Sequence, residues 1–113
     1  MHRKSIARAA VALATITLGT SVWAGGNAER GKEKATQICA ACHGLDGISQ
    51  NPIYPHIGGQ YQDYLLHALE GYKAGTRQNA IMQGMVAALN EQDLKDVAAY
   101  YAAQPGALKD APH

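Results

Sequence analysis

Phenylalanine is absent from this 113-residue chain, and tryptophan occurs only at Trp23. No apolar run reaches the ~20 residues that a membrane-spanning helix needs. The longest, from about Ala9 to Val22, is broken by Thr15, Thr17, Gly19 and Thr20. Arg3, Lys4 and Arg8 precede it, and Val22, Trp23 and Ala24 close it with a small residue last. This pattern is that of a secretory signal peptide cleaved after Ala24. Removing 24 residues from 113 leaves 89, one small domain at most. Seven Lys and Arg then face nine Asp and Glu, near −2. The lack of a concentrated basic face argues against nucleic acid as a partner. Trp23 leaves with the signal, so six tyrosines are the only aromatics of residues 25–113. So thin a core calls for a staple, a metal or a cofactor.

Convincing strand patterns, internal repeats and linkers are also missing. Three helical patterns are present. The first runs from about Ala28 to Gln37, with Asn27 as N-cap and Ala28, Gly31, Ala35 and Ile38 at helical spacing. The second covers about Tyr61 to Ala74. Its stripe is Tyr61, Leu65, Ala68, Leu69 and Tyr72, and Gly75 stops it. The third starts at Asn90, where Asp93 completes a capping box and Leu89 with Leu94 sit at staple positions. Leu94, Val97, Ala98 and Tyr101 form its buried stripe, and Gln104, Pro105 and Gly106 end it. Between the first two helices lies "HGLDGISQNPIYPHIGG", rich in Gly and Pro and without a period. Such a loop is unusual in a small domain unless it wraps something large.

The two cysteines fall in "CAACHG", Cys39 to Gly44. Three chemistries use this spacing: a redox or disulfide pair, half of a zinc site, and covalent haem attachment. A thioredoxin-like pair belongs near a βαβ pattern, whereas these surroundings read as helical. A four-ligand zinc site needs a second Cys or His pair. His56, His67 and His113 do not supply one at metal spacing. A disulfide across two residues closes too short a loop to gain much. Haem attachment accounts for the thiols, the adjacent His43, the export signal, the thin core and the long loop together.

An iron ligated by His43 in an electron carrier usually takes a sixth ligand, and a methionine sulfur raises the potential. Residues 25–113 offer Met82 and Met85, in "NAIMQGMVAAL". Spaced by three, they share a helical face, so geometry leaves the choice open, and the alternative for either is core packing. Met82 stands further from the Asn90 cap, with Gly84 close behind it. His56 and His67 are weaker competitors.

The chain resembles a class I c-type cytochrome, most closely a single domain of the cytochrome c4 kind. The likeness rests on "ERGKEKATQICAACHG", "YPHIGGQYQDYLLHALEGYKAGTR" and "IMQGMVAALNEQDLKDVAAYYAAQ". It implies an all-α fold, with three main helices and a long loop wrapped around one covalent haem c. Residues 1–24 would be the signal peptide and 25–113 the cytochrome c domain. Cys39 and Cys42 would carry the haem. His43 would be the proximal ligand and Met82, heading Met-x-Gly, the distal one, with Met85 packing. Pro55 would offer its carbonyl to His43, and Arg77 would meet a haem propionate. Gly31 with Tyr100 or Tyr101 would form the crossing of first and last helices. Two-haem relatives carry two such domains, and this chain has one.

The expected function is electron transfer in the periplasm by a soluble respiratory-chain protein that is not an enzyme. Its partners would be transient redox proteins: a membrane cytochrome complex, a terminal oxidase or a reductase. A weak homodimer would imitate the two-domain arrangement. The rival readings are a haem subunit of a periplasmic redox enzyme complex and a haem sensor with an open iron site.

Overall fold

The computed structural model describes residues 25–106 together with 7, 9–14 and 108. Arg3, Lys4, Arg8, the Val22-Trp23-Ala24 end of the expected signal peptide, and His113 lie outside the described residues. Among those described, no helix is long and apolar enough to cross a membrane, and no strand is present.

Asn27 caps helix α1 (Ala28–Lys34), its side chain accepting from the Arg30 N–H at 3.0 Å. The helix does not end near Gln37 as the sequence pattern suggests. It widens into a π turn over Ala35–Cys39 and continues as α2 (Ala40–His43). π turns concentrate at functional sites because they re-aim the residues that follow. Here Cys39 closes the π turn and α2 carries Cys42 and His43, which sets the two cysteines one turn apart and facing the same way.

Helix α3 (Gln62–Ala74) ends at Gly75, whose φ of 81° is the left-handed conformation that glycine reaches without strain. Helix α4 (Ala80–Val86) lies on the segment that carries Met82 and Met85. Asn79 caps it, accepting from the Met82 N–H at 3.0 Å. Helix α5 (Glu91–Ala102) has both halves of its capping box: Asp93 N–H to Asn90 Oδ1 at 2.8 Å and Asn90 N–H to Asp93 Oδ2 at 3.0 Å. Leu89 and Leu94, at the staple positions, join Val86 in one buried cluster.

Helices α1 and α5 cross at Gly31. A Cβ there would overlap the Asp96 carbonyl oxygen and come within 2.8 Å of the Tyr100 Cβ, so only glycine permits this approach. Asp96 seals the crossing. It is 2% exposed and accepts from the Asn27 N–H at 2.7 Å, Arg30 Nε at 2.9 Å and Gln92 Nε2 at 2.9 Å. Burial alone would raise its pKa, but these hydrogen bonds and the Arg30 charge outweigh it and hold the carboxyl below its ordinary range.

The long loop, residues 44–61, is pinned rather than loose. Tyr101 Oη donates to the Gly44 carbonyl at 3.0 Å, and Tyr100 Oη donates to the Leu45 carbonyl at 2.6 Å. Gly59 N–H donates to the Tyr101 carbonyl at 2.9 Å. The Gly47 carbonyl accepts from both Ile57 and Gly58, at 2.8 and 3.0 Å. The core falls into two small clusters. Ala35, Leu65, Val97, Ala98, Tyr100 and Tyr101 form one; Val86, Leu89 and Leu94 form the other. Both border the same cavity.

Candidate cofactor site

That cavity measures about 620 Å³. Ile38, Leu65, Leu69, Val86, Leu89, Val97 and Ala98 make its walls largely apolar. Cys39, Cys42, His43, Pro55, Arg77 and Met82 all line it, drawn from the π turn, α2, the loop, the turn before α4, and α4 itself. Met85, His56 and Tyr54 line it as well. His67 does not, and it is exposed on α3.

Cys39 and Cys42 form no disulfide with one another, and each is half-buried. Burial, aided by the neighbouring Cys42, pushes the Cys39 thiol up to about 11. A lowered thiol pKa is the mark of Cys-x-x-Cys redox pairs, and burial at Cys39 acts in the other direction. Among the described residues, no three His, Cys, Asp or Glu side chains converge as a zinc site would need.

His43 is buried, and its Nδ1 lies 2.9 Å from the Pro55 carbonyl oxygen. A carbonyl only accepts, so Nδ1 carries the proton and Nε2 keeps the lone pair for a metal. The Tyr54 ring meets the imidazole edge-on, with centroids 6.4 Å apart. Two thiols on one helical face, an imidazole fixed with Nε2 available, and an apolar cavity together fit a haem bound through both sulfurs.

Met82 is half-buried and packs beside the Val86–Leu89–Leu94 cluster. Met85 is 43% exposed. The structure places Met82 in the first turn of a helix that the three sequence patterns did not include. Asn79, just ahead of Ala80, was a readable N-cap signal for that helix. Arg77 is exposed at the cavity, with its guanidinium 5.2 Å from the centre of the Tyr72 ring. The Tyr72 and Tyr64 hydroxyls beside it raise its pKa further. Tyr54, Tyr64 and Tyr72 were not foreseen as parts of the site. Their signal was weak, since a tyrosine at helical spacing reads equally well as core.

Residues 28–103 match the family described as Cytochrome c. The chain belongs to the cytochrome c family. It is a class I c-type cytochrome resembling one domain of cytochrome c4, and it carries one haem c attached covalently through Cys39 and Cys42. It is 40% identical over 104 residues to cytochrome c4 of Stutzerimonas stutzeri, covering 82% of this chain and 49% of that protein. The crystal structure of reduced recombinant cytochrome c4 from Pseudomonas stutzeri superimposes with a TM-score of 0.66 at 42% identity, over 71% of this chain and 46% of that one. A thiosulfate dehydrogenase electron acceptor of Thiomonas intermedia is 34% identical over 102 residues, 88% of this chain and 46% of that protein. The chain thus spans about half the length of these relatives.

Proposed function

We propose that this cytochrome is a soluble one-electron carrier of the bacterial periplasm. Residues 1–24 direct its export, and 25–113 form the working domain. His43 and Met82 would hold the iron. The observation that carries this reading is the His43 Nδ1–Pro55 bond of 2.9 Å, which leaves Nε2 for iron in the cavity that Met82 also lines.

Haem c supplies one-electron chemistry at its iron. Everything else is done by side chains. The Pro55 carbonyl fixes the His43 tautomer and strengthens it as a donor. The Met82 thioether favours the ferrous state and so raises the potential. Arg77 offers positive charge to a propionate. Asp46, Asp63, Glu70 and Glu91 are exposed charges on the surface. Encounters with a membrane cytochrome complex, an oxidase or a reductase would be brief, as suits small redox interfaces.

A second reading, a haem subunit docked on a dehydrogenase, has specific support. Ile53 and Ile81 line the cavity yet stand 72% and 56% exposed, and one relative is named as a thiosulfate dehydrogenase electron acceptor. Native mass measurement on periplasmic extract separates the two. A free cytochrome beginning at Gly25, with a ferric methionine–iron charge-transfer band, is expected of the carrier. A stable co-purifying catalytic subunit would favour the second reading. An intact Met1 terminus in washed membranes would overturn export as a soluble protein.

A further inference from the structure

The Pro55 carbonyl is the group on which His43 leans, yet proline has no N–H with which to anchor its own position. The chain before it is tied by the Tyr54 N–H to the Asn51 carbonyl at 3.0 Å, and the chain after it by Ile57 N–H to Gly47 at 2.8 Å. At the residue in between, the tie is a side chain. His56 Nδ1 lies 2.9 Å from the Ser49 backbone nitrogen. That N–H can only donate, so Nδ1 accepts and the ring proton sits on Nε2. Ser49 is itself fixed. It is 8% exposed, its hydroxyl donates to the Asn51 carbonyl at 2.7 Å, and the Asn51 N–H returns to it at 3.1 Å. The His56 ring therefore bolts the returning arm of the loop to a rigid point on the outgoing arm, one residue from Pro55.

We propose that His56 is a positioning residue for the proximal ligand: by accepting from the Ser49 N–H, it keeps the Pro55 carbonyl aimed at His43 Nδ1–H. The inference rests on the reading of His43 as iron ligand. His56 would then act on the iron through two hydrogen bonds in series without touching it, because the donor strength of an iron-bound imidazole follows the bond made by its other nitrogen.

The test uses the ferric holoprotein and proton NMR, following solvent exchange of the His43 Nδ1–H with α5 amides as a control for the fold. His56→Ala should speed that exchange about tenfold, as losing one ordinary hydrogen bond releases, and leave the α5 amides unchanged. His56→Asn places an uncharged acceptor where Nδ1 stands and should restore the wild-type rate. Unchanged exchange in His56→Ala, failure of Asn to restore it, or α5 amides speeding in step would each overturn the proposal. If His56→Ala does not hold haem, His56→Gln takes its place, since its carbonyl lies one bond too far out. Fast exchange in Gln beside normal exchange in Asn supports the proposal; equal rates overturn it. A wild-type His43 ring without hyperfine shift would remove the ligation reading and this proposal together. A shifted ring whose exchange ignores residue 56 removes this proposal alone.

Discussion

The two sides of the cavity are built differently. On the histidine side, α1, α5 and the loop form a frame tied by buried polar contacts. Asp96 joins α5 to Asn27 and Arg30. Tyr100 and Tyr101 reach into the loop at Leu45 and Gly44, and Pro55 holds His43. On the methionine side, α4 is seven residues long, capped by Asn79 and anchored by Val86. Ile81 and Met85 on it are exposed. The lesson is a division of labour. The His43 ring is set in place by a hydrogen bond, which is directional. The methionine segment is held by one cap and a little apolar packing.

The largest effect should come from removing what joins the two sides. Changing Cys39→Ala and Cys42→Ala together removes both thioether anchors, and with the cofactor goes much of the apolar packing. Mostly unfolded apoprotein is expected by circular dichroism. Mass measurement after acid–acetone treatment checks the linkage in the parent protein: haem that stays with the chain supports it, and haem that extracts contradicts it.

Next is the frame. Asp96→Ala deprives three donors of their buried acceptor and should cost about 1–3 kcal/mol, read from denaturant unfolding. The parent should also be acid-sensitive at this residue. Because the folded pKa of Asp96 is lowered, its contribution is complete above the unfolded carboxylate value of about 4 and is lost as pH falls through the lower folded value. Asp96→Asn should flatten that part of the acid profile. An unchanged profile would mean that the frame is held by packing alone.

The smallest effect belongs to the methionine side. Asn79→Ala removes one helix cap and should cost about 1 kcal/mol. The ferric methionine–iron band should weaken on warming before α5 unfolds. If the band and α5 melt together, the two sides are one cooperative unit and do not differ in how firmly they are held.

The sequence revealed the two regions unequally. Cys39, Cys42 and His43 were legible because attachment fixes their spacing within six residues. The α5 start was legible because Asn90, Asp93, Leu89 and Leu94 are local signals. The π turn at Ala35–Cys39 was not, since no residue type marks an i+5 hydrogen bond. Asp96 was missed as well: its partners Asn27 and Arg30 lie 69 and 66 positions away, and an acidic residue on a helix otherwise reads as solvated. The loop appeared structureless because its order comes from distant tyrosines and from backbone bonds that have no sequence signature. Gly31 was flagged through family resemblance, and the structure supplies its reason in the Asp96 carbonyl it must clear.

The central claim is that His43 and Met82 hold one covalent haem iron from two unlike sides. The ferric visible spectra of Met82→Ala and Met85→Ala test it most directly. Met82→Ala should lose the methionine–iron charge-transfer band, turn high-spin or water-bound, and fall markedly in potential. Met85→Ala should keep the band and, with its side chain 43% exposed, cost less than the ~2–5 kcal/mol of a fully buried methionine. Loss of the band only in the Met85 variant would assign the ligand to the other sulfur. Retention in both would contradict methionine ligation.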